Sequence, residues 1–400
     1  MTSEVAVMNR LGVAIAADSA VTIGSSGNSK TYYTQQKLFN LSKNHFVGIM
    51  IYHNLRYMDI NWEIIINEFG KDLGDKSLPN LEEYAEKFLD FLRDFKYVDA
   101  FQKEFLEEMS NLFFDEIKED YKKDISENYK DQEITKAQQG KILAGILKKT
   151  REKLKNTENY VSFTDDGFIN ENKAIIAKEM EETFSDFSIN DKMKEELMDL
   201  FLLDISKIEI GAWLDYSTGI VFAGYGDKEI FPSTVEFQLL GKLGKNILHS
   251  EIMPDNDSFS HINPYSQPNV INSFIRGMDP AFRRMIDGEL DKIVEKVADI
   301  AGKKHIEEVG LLIKELKDKI QSFQELEYRD PVLEIVRSLP KSDLAEMAEA
   351  LVNITALRQH VSTEQETVGG PTDVALITKT DGFVWIKKKQ LFHSIQDNGA

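Results

Sequence analysis

The chain has 400 residues, 42% hydrophobic and 29% charged, which is enough apolar material for a sizeable core and excludes the disordered class. Its 68 acidic against 48 basic residues give a net charge of -20, which argues against a nucleic-acid binder or an anionic-membrane binder. With no cysteine, disulfides, thiolate metal sites and cysteine nucleophiles are excluded, and a reducing cytoplasm is the natural compartment.

No secretory signal is read at the start, where Glu4 interrupts a short apolar stretch. No run approaches the ~18 apolar residues of a membrane span. Residues 2–8 read as a strand and residues 12–18 as a second, nearly all small and apolar, as in a strand covered on both faces. Asn9, Arg10 and Leu11 form the turn, with Gly12 as its exit. Centring the hairpin on Arg10 and Leu11 sets Asp18 opposite Ser3, one step from Thr2.

Residues 31–41 and 46–52 form another apolar pair around the polar turn Ser42-Lys43-Asn44-His45. From about Leu55 the apolar period turns helical, with Ile60, Ile64 and Ile65, then Leu81, Tyr84, Phe88 and Leu92, on one face. Long amphipathic helices are expected to residue 203, with 115–133 as a solvated helix or a connection. Strands are expected again over 206–225, where Ile208, Ile210, Ala212 and Leu214 alternate, and over 229–242 and 246–252. A loop is expected at 255–264. Helices are expected from Asn269 to about Ala301, over 304–327 and behind a Ser342-Asp343 cap. Two strands, 373–379 and 382–388, close the chain. Strand blocks at both ends, split by helices, predict one α+β core over 1–54 and 204–400 with a helical insertion at about 280–340. Residues 55–203 then supply a helical layer plus a further helical insertion.

The chemistry-bearing residues lie early. Removal of Met1 would expose Thr2 with a free α-amine. A threonine hydroxyl needs an adjacent base, and an α-amine, with a reference pKa of about 7.7–8.0, can serve. Asp18 ends an apolar strand and needs a partner. Lys37, at the head of the apolar segment Lys37-Leu-Phe-Asn-Leu41, is the candidate. An ammonium there would lower the pKa of hydroxyl and amine.

This pattern resembles the N-terminal region of proteasome β-subunits and the bacterial peptidase HslV, which are N-terminal-nucleophile (Ntn) hydrolases. The matching residues are Thr2, Gly12-Val-Ala-Ile-Ala-Ala-Asp-Ser19, Thr22, Gly24 and Lys37-Leu-Phe. The resemblance implies a four-layer αββα sandwich of antiparallel sheets, with large helical insertions in this chain. It implies Thr2 as nucleophile, Lys37 tuning it and Asp18 pairing with Lys37. Glu364 and Thr367, in Glu364-Gln-Glu-Thr367-Val-Gly369-Gly370, stand for the family's Asp-x-x-Ser-Gly element. Either Ser260 or Ser266 is the counterpart of a further family serine. A backbone oxyanion donor is expected at Tyr52, within Ile51-Tyr52-His53, where the family has small residues. His53, a lone histidine, is read as a packed or surface residue.

The resemblance further implies catalysis through an acyl-enzyme without metal or organic cofactor, and a peptide or protein substrate. It also implies a homo-oligomer, with an ATPase or other protein as a further partner. It covers about half the chain. Two other readings stand beside it: a non-catalytic scaffold or regulatory subunit of this fold, and an amidase acting on a small amide.

Overall fold

A computed structural model describes residues 2–23, 30–33, 35–129, 134–158, 163, 167–187, 189–207, 216–255, 259–301, 306–362 and 368–389. The N-terminal strands are β1 (Glu4–Asn9), β2 (Gly12–Ala17), β3 (Val21–Ile23), β4 (Lys30–Tyr32), β5 (Leu38–Asn40), β6 (Val47–His53), β7 (Arg56–Tyr57) and β8 (Ile60–Asn61). Helices follow: α1 (Trp62–Leu73), α2 (Leu81–Asp94), α3 (Gln102–Asn128), α4 (Lys136–Asn156), α5 (Phe168–Glu171), α6 (Lys173–Thr183) and α7 (Asp191–Ile205). Strands return as β9 (Thr218–Gly224), β10 (Ser233–Leu243), β11 (Asn246–His249), β12 (Met253–Asp255) and β13 (Ser260–Ser266). Helices α8 (Pro268–Arg276), α9 (Pro280–Ala301), α10 (Ile306–Gln324), α11 (Asp330–Ser338) and α12 (Lys341–His360) precede β14 (Asp373–Thr378) and β15 (Gly382–Lys387).

The result is a mixed α and β architecture with antiparallel sheets. One sheet runs β13-β1-β2-β14-β15 and the other β11-β10-β9-β6-β5, with β12 added on β10. The β1–β2 hairpin has the register read from the sequence, Glu4 facing Ala17 and Asn9 facing Gly12. Every residue of both strands is buried. Alternation along β1 explains this. Ala6 and Met8 point at the second sheet and meet Met50 and Val221. Val5 and Val7 point the other way, onto α8, α11 and α12 through Ile271, Val336 and Ala348. A strand buried on both faces has no place for a solvated residue, hence the continuous apolar run.

The second sheet is covered on its outer face by α1 and α2. There Ile49, Ile51, Phe222 and Phe237 pack against Trp62, Phe69 and Phe88. Each of these helices starts on an asparagine whose side chain accepts from a first-turn N–H: Asn61 from Glu63, Asn80 from Glu83. Helices α3, α4, α6 and α7 form a separate apolar cluster, joined to the sheet by Leu240, Leu243 and Leu248.

Three sequence expectations need correcting. The stretch 255–264, expected as a loop, contributes most of β13, which pairs along β1. As an edge strand it alternates polar residues, and Pro264 sits beside the register shift at Glu4 and Val5, where an edge tolerates it. The expected pair of 31–41 with 46–52 splits: β4 pairs with β3, and only β5 pairs with β6. The helix expected behind a Ser342-Asp343 cap starts at Lys341, with Pro340 at the N-cap. Ile208, Ile210, Ala212 and Leu214 lie outside the described residues. Among the described residues no helix is long and apolar enough to cross a membrane.

Candidate active site

The hairpin register carries Thr2, Ser3 and Asp18 to one end of the first sheet. The Asp18 N–H donates to Ser3 O at 3.1 Å and the Ser3 N–H to Asp18 Oδ1 at 3.0 Å, closing that end. Lys37 precedes β5 in the facing sheet, and its chain crosses the interlayer. Its Nζ lies 2.5 Å from Asp18 Oδ1 and 3.2 Å from Glu4 Oε1. All three side chains are buried. The Thr2 hydroxyl is buried too, donating to Glu4 Oε2 at 2.9 Å and lying 3.3 Å from Ser266 Oγ.

One ammonium thus stands between two buried carboxylates, whose other donors are unequal. Asp18 also accepts from the backbone N–H groups of Ser3, Ala20 and Gly369, at 3.0, 3.2 and 2.9 Å. Glu4 has the Thr2 hydroxyl, and its Oε1 makes only the ionic contact with Lys37. Burial accordingly pushes the Glu4 acid up to about 7; Lys37 opposes the shift and the Asp18 charge adds to it.

A second buried ion pair braces the first. Lys389 Nζ reaches Asp373 Oδ2 at 2.6 Å, Ser19 Oγ at 2.9 Å and Gln35 O at 2.5 Å. It ties the chain after β15 to the residue beside Asp18 and to the segment leading into Lys37.

Thr2, Asp18, Lys37 and Ser266 therefore meet at one corner. Ser260 does not: it pairs with Asn9, at the opposite end of β13. Glu364 and Thr367 lie outside the described residues, as do Met1 and Gly24. Tyr52 lies in β6, its backbone paired with Gly219 of β9. The Ile51 N–H donates to Lys37 O at 3.0 Å, so alternation turns the Tyr52 N–H towards β9 and the His53 N–H to the Lys37 side. The donor expected at Tyr52 faces away from Lys37. The Tyr52 ring occupies the interlayer over Gly219, where a Cβ would come within 1.8 Å of it, and its phenol donates to Glu236.

Sequence reasoning missed Glu4 as a site residue and missed Lys389 altogether. The available signal for Glu4 was the charge itself: a glutamate two residues after Thr2, in phase with Ala6 and Met8, on a strand otherwise free of charge. Among the described residues no cluster of three or more histidine, aspartate or glutamate side chains is arranged to hold a metal.

No family model matches this chain, and no curated protein does. Among solved structures, Anbu from Hyphomicrobium sp. strain MC1 matches at 10% identity and a TM-score of 0.30, covering 98% of this chain and 88% of that one. The Anbu (Gly-1) mutant from the same strain matches at 10% identity and a TM-score of 0.31 over the same shares. Scores this low assign neither fold nor family. The sequence resemblance to proteasome β-subunits and HslV is corrected accordingly. Its motifs are short, and neither a family model nor a curated protein supports them over this chain.

Proposed function

We propose that this chain is an N-terminal threonine hydrolase that cleaves amide bonds through an acyl-enzyme on Thr2, exposed by removal of Met1. The observation that carries the reading is the Thr2 hydroxyl at a buried corner, held by Glu4 and Ser266 beside an ammonium shared by Asp18 and Glu4. A hydroxyl becomes a nucleophile where a base can take its proton and a fixed positive charge stabilises the anion. Asp18 holds Lys37 in place; Lys37 sets the local potential through Glu4 rather than by touching Thr2. The proposed oxyanion donor is a backbone N–H of the Ile51-Tyr52-His53 stretch of β6.

Two facing antiparallel sheets with helices outside both support the finer assignment of an Ntn-type αββα sandwich. In that assignment residues 1–54 and 204–400 are the core, and 55–203 supply a helical layer plus insertion. Peptides or proteins are the proposed substrates, in a cytoplasmic homo-oligomer that an ATPase or other protein serves. Glu364 and Thr367 are retained as proposed members of the site. One observation favours a non-catalytic scaffold: Thr2 is only 2% exposed.

Intact mass before and after an epoxyketone or vinyl-sulfone probe tests the reading, with Thr2→Ala as control. Loss of Met1 and a single adduct absent from Thr2→Ala is the expected result. Retained Met1 without an adduct would promote the scaffold.

A further inference from the structure

The geometry points to Glu4 as the general base for Thr2, taking the proton that the sequence pattern assigns to the α-amine. This rests on the reading of Thr2 as nucleophile.

Reach comes first. Glu4 Oε2 accepts directly from Thr2 Oγ1 at 2.9 Å, within the range a proton-transfer partner needs. The strand imposes this contact. Glu4 is in phase with Ala6 and Met8, the β1 side chains that face the second sheet, and so projects towards Lys37. Pairing with Ala17 on one side and Ser266 on the other fixes its backbone. The ionised groups that face it are Lys37 and Asp18, and the hydroxyls are Thr2 and Ser266.

Division of labour between the two acids follows from their donors. Asp18 is saturated by three backbone N–H groups and Lys37, whereas Glu4 has the Thr2 hydroxyl and one ionic contact. Burial holds the Glu4 acid near 7, where a carboxyl can both take and return a proton at neutral pH.

The steps balance. The Thr2 Oγ1 proton moves to Glu4 Oε2 as Oγ1 bonds to the substrate carbonyl carbon and the C=O electron pair moves onto oxygen. Collapse breaks the C–N bond, and the leaving amine takes the proton from Glu4. Water then attacks the ester and gives a proton to Glu4. Expulsion of Thr2 Oγ1 returns that proton and releases the acid.

The test measures probe labelling at Thr2 and amide turnover in the full chain for wild type, Glu4→Gln and Glu4→Asp. Glu4→Gln keeps the shape and one acceptor oxygen, which can face Thr2 or Lys37 but not both, and takes no proton. Its kcat should fall roughly 10²- to 10⁴-fold with KM little changed, and Glu4→Asp should recover part of the loss. Because Glu4→Gln could misfold, the acidic limb of the wild-type pH profile is also followed at two temperatures. A carboxyl midpoint hardly moves on warming, whereas an amine midpoint falls. A stationary midpoint supports Glu4. A falling midpoint, or wild-type rates in Glu4→Gln, overturns Glu4 and leaves the threonine nucleophile intact. Failure of wild type to label at Thr2 overturns both.

Discussion

Lys37 and Lys178 each stand among carboxylates, and they differ in their access to water. Lys37 meets Asp18 at 2.5 Å and Glu4 at 3.2 Å with no exposed surface. Lys178 meets Glu107 at 2.7 Å and Glu179 at 3.1 Å with 55% of its side chain exposed. The contacts are alike, yet the neighbouring acids respond in opposite directions. The hydrogen bond from Lys178 lowers the Glu107 pKa, whereas burial raises that of Glu4 against the pull of Lys37. A lysine beside an acid therefore does not fix the sign of the shift; the balance of desolvation and donors does. In the helical module, water screens the charges and the network trims a surface. Between the two sheets, the protein must supply every partner, and the one least well supplied becomes able to exchange a proton near neutrality.

The largest effect should come from Lys37→Met, which strands two buried carboxylates without a cation. Breaking a buried ion pair in this way costs about 3–5 kcal/mol. Urea unfolding at neutral pH should show a loss of this size, and a loss below about 1 kcal/mol would mean that water reaches the cluster and the comparison fails.

Next in size is a pH-dependent effect at Glu4. A pKa raised in the folded state means a contribution that is fully present below the unfolded value of 4.5 and lost as pH rises through about 7. The Glu4→Gln chain has no such group to ionise. Its stability relative to wild type should therefore rise across that window, by about 3 kcal/mol. Thermal melts at acid and mildly alkaline pH measure the difference. A constant offset between the two chains would show that Glu4 does not change its protonation on folding.

How much of this corner was legible follows from where its parts sit in the chain. The β1–β2 hairpin and its register could be read because both faces of both strands are buried and one polar turn joins them. Thr2, Asp18 and Lys37 meet within a single hairpin and the next crossing, so local pattern sufficed. Ser266 remained one of two options, because its neighbours in β13 are polar and its contact with Thr2 spans 264 positions. Glu4 went unnoticed for a physical reason. Period-2 patterning treats a charge at a strand end as solvated, and only the opposite sheet reveals that this one is enclosed. The pairing of Tyr52 with Gly219 was not legible, because the direction of an N–H depends on which neighbour each β6 residue pairs with, which spacing from Lys37 does not encode.

The smallest effect should come from Lys178→Met, and it tests the other side of the comparison. Its partners Glu107, half-buried, and Glu182, exposed, rehydrate when the lysine is removed; Glu179, 4% exposed, keeps a hydrogen bond from Asn111 at 3.3 Å. Exposed pairs gain little because water already solvates both charges and ordering two long side chains offsets the attraction. The melting temperature should barely move at low salt, and the remainder should vanish at about 1 M salt, where the screening length falls to about 3 Å. Lys37→Met should keep its deficit in the same salt, since ions cannot enter the space between the sheets. If salt erased both effects alike, the Lys37 cluster would be solvated and Glu4 would have no reason to hold its proton. If salt left both intact, Glu179 would be the buried anchor of a second network, and exposure of the lysine would be the wrong measure of how its charge is paired.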